Sequence, residues 1–138
     1  MTYMAECPGD CSSFVPDAST EWFKIDEQGQ SVNGDSSSWA QAKLLDGSPA
    51  TVTIPSGVKA GNYLVRHEII SLQNSVSVGG AEYYPSCLQV TVGGNGNGSP
   101  STTYAFHLVM SSYDLTHSIS ASISPVHTVK PILAFWVM

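Results

Sequence analysis

The sequence predicts an all-β protein. Short segments rich in β-branched and aromatic residues alternate with clusters of Gly, Pro, Ser and Asn, and amphipathic helix periodicity is nearly absent. Charged side chains make up only 12% of the 138 residues, so the surface is polar mainly through hydroxyl and amide groups. A chain of this length, residues 1–138, fits a single domain. Together these observations favour a β-sandwich or a β-barrel.

Five strands are predicted, each bounded by residues that favour turns. They are Thr2–Ala5, Trp22–Glu27, Ala50–Ile54, Tyr63–Leu72 and Tyr83–Val92. The turns include Pro8-Gly9, Asn33-Gly34-Asp35, Pro55-Ser56-Gly57 and the glycine-rich run 93–98. One short helical turn is expected within Ser37–Leu45. Near the C-terminus, the alternation of Ile119, Ala121 and Ile123 with serines is typical of a half-exposed strand.

The charge of the chain argues against two classes of partner. The formal net charge is −6, and Lys and Arg total five. Nucleic acid binding needs a basic surface to contact phosphate, and anionic membranes attract basic segments. No apolar run approaches the ~20 residues of a membrane span. The N-terminus shows no signal-peptide pattern, which by itself predicts a cytoplasmic protein.

The three cysteines favour a secreted protein instead. Cys7 and Cys11 flank a Pro-Gly turn that brings the two thiols close enough to form a disulfide. A zinc site is the alternative, but zinc needs about four ligands and no histidine lies near this segment. Disulfides are typical of secreted proteins. Cys87 is then left unpaired, and Asn97-Gly98-Ser99 is a glycosylation sequon that matters only if the chain is secreted.

The last two predicted strands carry the best candidate for chemistry. Tyr63–Leu72 and Tyr83–Val92 are expected to form an antiparallel hairpin with a long connection. Because side chains alternate along a strand, Glu82 and Tyr84 point the same way, and the hairpin brings Gln73 near them. A packed core tyrosine beside a solvated carboxylate is the simpler interpretation of the same spacing. His67 lies in mid-strand and is expected to be a hydrogen-bonded structural residue rather than a metal ligand.

Several segments resemble one family, the fungal lytic polysaccharide monooxygenases of auxiliary activity family nine, formerly glycoside hydrolase family sixty-one. The clearest are R-H-E-I-I-S-L-Q (66–73) and E-Y-Y-P-S-C (82–87). The other matching segments are T-Y-M-A-E-C-P-G-D-C-S-S-F (2–14), W-F-K-I-D-E-Q-G (22–29), W-A-Q-A-K-L (39–44) and A-T-V-T-I-P-S-G-V-K-A-G-N-Y-L-V-R-H-E (50–68). The resemblance is strong over residues 2–106 and degraded over 107–138. It implies an immunoglobulin- or fibronectin-like β-sandwich with long loops, N-terminally truncated in this chain.

The resemblance also implies roles for particular residues. The family binds copper through its N-terminal histidine and a second early histidine, whereas the first histidine of this chain is His67. In the family, a tyrosine at the position of Tyr84 lies axial to copper, and Glu82 stands where a glutamine or glutamate assists oxygen activation. A histidine that contacts these groups is replaced by Gln73. The family cysteine at Cys87 pairs with one that this chain lacks.

Two hypotheses follow for the function. The first is a secreted, copper-dependent enzyme that oxidatively cleaves cellulose or another β-glucan, with Tyr84 and Glu82 in its active site. The second is a non-catalytic remnant that binds polysaccharide weakly, for which Tyr113 is the candidate stacking residue. Without the copper histidines, we expect this chain alone to bind no copper tightly. A sandwich with exposed strand edges is also expected to self-associate.

Overall fold

The computed structural model describes residues 1–105 and 129–132, and within them five strands form one antiparallel sheet. The strands are β1 (Thr2–Glu6), β2 (Phe23–Asp26), β3 (Gly61–Ser71), β4 (Glu82–Val92) and β5 (Val129–Ile132). Their order across the sheet is β2-β1-β3-β4-β5. The all-β prediction is therefore confirmed. Among the described residues, no helix has the length and apolar character needed to span a bilayer.

Four of the five predicted strands are present, and the prediction for Ala50–Ile54 is wrong. In that segment half-buried and exposed residues alternate as in a strand, and Ile54 packs against buried side chains of the sheet. Pro49 and Pro55 flank the segment, and proline has no N–H to donate to a neighbouring strand. The alternation therefore arises because one side of this extended segment packs against the sheet, although the segment does not pair as a strand.

The structure differs from the sequence-based prediction in two further elements. The strand β5 contains Pro131 and lies at the edge of the sheet, where a proline is tolerated. In place of one helical turn there are two 3-10 helices, Ser36–Ser38 and Ala40–Asp46. The second ends at Gly47, whose φ of 84° is left-handed and whose N–H bonds to the Leu44 carbonyl.

The predicted hairpin is confirmed and forms the centre of the sheet. Both β3 and β4 are eleven residues long, and they pair in register from Gly61 opposite Val92 to Ser71 opposite Glu82. The strand β1 pairs with the other edge of β3, with Thr2 opposite His67. Each strand thus places alternate side chains on the two faces of the sheet.

Both faces of the sheet are covered by buried side chains. Met4 in β1 has no exposed surface, and neither does Ala5, although neighbouring residues in a strand point to opposite faces. One cluster comprises Met4, Val58, Tyr63, Val65, Val90 and Val92. The other comprises Tyr3, Ala5, Cys7, Cys11, Trp22 and Leu64. The strand β1 joins both clusters, which explains why four of its five residues are buried.

The second cluster contains the predicted disulfide. Cys7 and Cys11 are bonded, with their Cα atoms 5.4 Å apart, and both residues are buried. The Asp10 side chain accepts a hydrogen bond from the Ser12 N–H at 2.9 Å and caps the short 3-10 helix Cys11–Ser13. The Gln89 amide donates to the Cys11 carbonyl at 3.3 Å, which ties this turn to β4. Cys87 is a free thiol.

The buried polar residues of β3 are satisfied by local partners. His67 Nδ1 lies 2.9 Å from Thr2 Oγ1, and His67 Nε2 lies 3.5 Å from the Gln41 amide. On the other face, Arg66 Nη2 donates to the buried Glu68 carboxylate at 2.6 Å. Burial lowers the pKa of His67, and the Met1 α-amino group acts in the same direction, while Asp26 and Glu68 oppose the shift. His67 is thus a neutral structural residue at neutral pH.

Removing the disulfide should destabilise the fold. We expect the Cys7→Ser/Cys11→Ser double variant to lose about 2 kcal/mol of unfolding free energy in urea titrations, because the bond closes a short loop in the unfolded chain. Cys87→Ala is the control and should lower the unfolding free energy less than the double variant does. Alkylation of the unfolded, unreduced protein should label Cys87 alone. A double variant as stable as the parent protein would contradict the assigned role of the bond.

The low pKa of His67 predicts a pH dependence of stability. The unfolded chain takes up a proton on this imidazole near its ordinary pKa of 6.5, whereas the folded protein resists protonation to lower pH. Stability is therefore expected to fall as the pH drops below that value. His67→Gln keeps a side chain that can bond Thr2 and should flatten this part of the profile. If the unfolding free energy from urea titrations depended on pH in the same way in the parent protein and in His67→Gln, His67 would not be the cause of the pH dependence.

Candidate functional site

The candidate site lies at the start of β4, where Glu82 and Tyr84 point to the same face of the sheet. The Tyr84 hydroxyl donates a hydrogen bond to Glu82 Oε2. Tyr84 stands opposite Ile69 and is half-buried, whereas Glu82 stands opposite Ser71 and is exposed. The alternation of side chains along β4 places the two groups together on one face of the sheet.

Gln73 belongs to the loop that joins the two strands of the hairpin. This loop comprises residues 72–81, and Gln73 is exposed two positions beyond the Ser71–Glu82 pair. The chain therefore brings Gln73 to the same end of the sheet as Tyr84 and Glu82. The contact observed within this set is the hydrogen bond between Tyr84 and Glu82.

The described part of the chain does not contain a complete metal site. No group of three or more His, Cys, Asp or Glu side chains is arranged there to hold a metal ion. Tyr84, Glu82 and Gln73 offer oxygen donors, whereas copper(II) sites favour imidazole nitrogen. His67 is buried between Thr2 and Gln41, and its position in β3 lies two residues from Ile69, further from the loop end. The residues described therefore do not fit a copper site by themselves.

Two cavities lie elsewhere on the protein. A cavity of about 810 Å³ lies beside β2 and is lined in part by Phe23, Tyr63 and Tyr104. Another of about 690 Å³ is lined in part by Trp39 and His67. Neither of these two cavities is lined by Tyr84 or Glu82. At the candidate site itself, Glu82 is exposed and Tyr84 is half-buried.

The remaining residues singled out in the sequence have simple environments or lie outside the described residues. Cys87 is partly buried opposite Arg66, and burial raises the pKa of its thiol while the guanidinium opposes that shift. Asn97 is exposed in the loop after β4, and the following Gly98 donates its N–H to the Gly57 carbonyl at 2.8 Å. Tyr113 and the segment in which Ile119, Ala121 and Ile123 alternate with serines lie outside the described residues.

Sequence comparison identifies relatives over most of the chain. The profile of Auxiliary Activity family 9 (formerly GH61) matches residues 1–127. AA9 family lytic polysaccharide monooxygenase D of Gloeophyllum trabeum is 46% identical over 106 residues, covering 77% of this chain and 30% of the relative. Monooxygenase B of Malbranchea cinnamomea is also 46% identical over 106 residues, covering 77% and 42%. The chain thus spans less than half the length of both relatives.

Solved structures of the same family share the fold of this chain. The extended catalytic domain of LPMO9A from H. jecorina superposes with a TM-score of 0.65 at 32% identity, covering 94% of this chain and 52% of that structure. A cellulose-active polysaccharide monooxygenase from M. thermophila gives a TM-score of 0.57 at 36% identity, covering 75% and 49%. These structures are β-sandwiches, which confirms the predicted fold class. By sequence and by fold, this chain belongs to Auxiliary Activity family 9.

Proposed function

We propose that this chain carries one side of the active site of a copper-dependent lytic polysaccharide monooxygenase that oxidatively cleaves cellulose or another β-glucan. The proposal rests on the hydrogen bond between Tyr84 and Glu82 on the open end of β4. By family resemblance, Tyr84 would contact copper and Glu82 would assist oxygen activation. Membership of a copper-dependent family supports the cofactor.

The three residues of the site have different tasks in this proposal. Tyr84 would offer its phenol oxygen to copper, and Glu82 accepts a hydrogen bond from the Tyr84 hydroxyl that orients the ring. Partners of this kind orient groups at metal sites and tune their basicity. Gln73 can donate a hydrogen bond, but as an amide it cannot deliver a proton near neutral pH. Copper, when it is bound, supplies the activation of oxygen or peroxide.

The residues described at the candidate site supply no nitrogen ligand for copper. The described residues at the site offer only oxygen atoms as metal ligands. Both ring nitrogens of the buried His67 contact other side chains, those of Thr2 and Gln41. The chain by itself is therefore expected to bind copper weakly, and no chemical step is assigned to it alone.

The proposed substrate and location are those of the family. Cellulose is the substrate named for the M. thermophila structure, and we extend it to this chain together with other β-glucans. Secretion is supported by the family and by the Cys7–Cys11 disulfide. A non-catalytic role in polysaccharide binding is the second hypothesis, supported by the lack of a metal-binding group among the described residues.

A chimera tests the function directly. The segment of the M. thermophila monooxygenase that precedes its match to this chain would be joined to Met1. We expect the chimera to bind copper(II) with nitrogen coordination by electron paramagnetic resonance and to release oxidised cello-oligosaccharides from cellulose with ascorbate. Tyr84→Phe should lower product formation by roughly tenfold to a hundredfold, because it removes the phenol oxygen that would contact copper and its hydrogen bond to Glu82.

The chain alone and the variant His67→Gln are the controls. The chain alone should bind copper weakly in calorimetry, and the His67→Gln chimera should keep its activity within about twofold at neutral pH, where His67 is already uncharged. Loss of activity in the His67→Gln chimera with normal activity in the Tyr84→Phe chimera would place the site elsewhere. A folded, copper-loaded chimera without activity would favour the non-catalytic hypothesis.

A further inference from the structure

The sequence contains three Asn-Gly pairs, and the structure gives them different surroundings. They are Asn33-Gly34, Asn95-Gly96 and Asn97-Gly98. An asparagine that precedes glycine is prone to deamidation, because glycine has no side chain to keep its backbone nitrogen away from the asparagine amide carbon. The nitrogen must be free to approach that carbon. A hydrogen bond from the glycine N–H, or close packing of the glycine, therefore opposes the reaction.

The two pairs in the loop after β4 are held against Gly57 and Val58. The Gly98 N–H donates to the Gly57 carbonyl at 2.8 Å, and Gly98 forms an isolated parallel bridge with Val58. A Cβ added at Gly96 would lie 2.1 Å from the Val58 carbonyl oxygen, so the backbone of Gly96 packs closely against the same segment. Either glycine nitrogen must give up these contacts before it can reach the asparagine side chain that precedes it.

The pair Asn33-Gly34 lies in an exposed turn. Asn33 and Gly34 are its two central residues, and the Asp35 N–H closes it by donating to the Val32 carbonyl at 3.2 Å. Both central residues are exposed, and a Cβ added at Gly34 would meet no atom within 4 Å. Within the part of the chain that the structure describes, no hydrogen bond holds the Gly34 N–H. The Gly34 nitrogen is therefore open to reaction with the Asn33 side chain.

We propose that Asn33 is a site of spontaneous deamidation in the folded protein and that the product opens its loop. Hydroxide removes the proton from the Gly34 backbone nitrogen, which then attacks Cγ of Asn33. A bond forms between these two atoms, the bond from Cγ to Nδ2 breaks, and ammonia leaves with a proton from water, which regenerates hydroxide. Water opens the resulting succinimide ring at either carbonyl group and gives aspartate or isoaspartate. The net reaction exchanges ammonia for water and involves no change of oxidation state.

The position of Asn33 makes isoaspartate disruptive. The backbone of isoaspartate runs through its side chain and is one carbon longer, so the turn from Val32 to Asp35 loses the geometry of its closing hydrogen bond. The Asp35 carboxylate accepts a hydrogen bond from the Ser37 N–H at 2.9 Å and caps the 3-10 helix Ser36–Ser38. A displaced Asp35 would release this cap, and the Ser37 amide should then exchange its hydrogen faster.

The test uses the 138-residue chain itself, aged in a mildly alkaline buffer and mapped by peptide mass spectrometry, with isoaspartate identified by enzymatic methylation. In the folded protein, deamidation at Asn33 should be roughly tenfold faster than at Asn95 or Asn97, the ratio expected if the slower reactions must first break a backbone contact. In urea those contacts are lost, and the three sites should react at comparable rates. The aged folded protein should also show faster hydrogen exchange at the Ser37 amide than fresh protein.

Asn33→Gln and Asn97→Gln are the matched variants, because glutamine would have to close a larger ring and reacts much more slowly. Asn33→Gln should remove most of the isoaspartate from aged protein, whereas Asn97→Gln should leave its amount unchanged. Equal rates at the three sites in the folded protein, faster reaction at Asn95 or Asn97, or a preference for Asn33 that persists in urea would each overturn the proposal. Unchanged exchange at Ser37 after ageing would overturn the opening of the loop.

Discussion

The pairing of β3 with β4 is the constraint on which the rest of this structure depends. Eleven residues of each strand are in register, and β1 and β5 attach to the outer edges of this pair. A slip of one residue would turn every side chain of β4 to the other face of the sheet. Val90 and Val92 would leave the core, and Tyr84 would move away from Ile69. The same register therefore holds both the core and the candidate site.

The burial of both sheet faces is greatest at the end of the hairpin away from the candidate site. The two clusters contain Tyr63, Leu64 and Val65 of β3 and Val90 and Val92 of β4, whereas the pairs nearest the loop end are less buried. The buried polar residues of β3 have hydrogen-bond partners, Thr2 for His67 and Arg66 for Glu68. Removing one partner of a buried ion pair leaves the other charge uncompensated and destabilises the fold. The bond of His67 in β3 to Thr2 in β1 joins two strands and so favours their observed register.

Strands with an alternating pattern and clear turns at both ends could be predicted from the sequence. The prediction was wrong where a segment packs against the sheet without pairing as a strand. Ala50–Ile54 alternates because one side packs on the sheet, and the prolines on either side keep it from pairing. The edge strand β5 was missed because Pro131 interrupts its pattern. The disulfide could be predicted because a Pro-Gly turn separates its cysteines. The contact of Tyr84 with Glu82 followed from their spacing, whereas the hydrogen bond of Gly98 to Gly57 joins two distant segments and is specified by no local pattern.

The central claim is that the register of β3 and β4 places Tyr84 beside Glu82 at the open end of the sheet. Nuclear Overhauser contacts between side chains of the two strands test this claim most directly, in uniformly labelled protein. The account predicts contacts of Ile69 with the Tyr84 ring, of His67 with Ser86 and of Val65 with Leu88. Contacts of Ile69 with Tyr83 or Pro85 in place of Tyr84 would show a register shifted by one residue and would contradict the account.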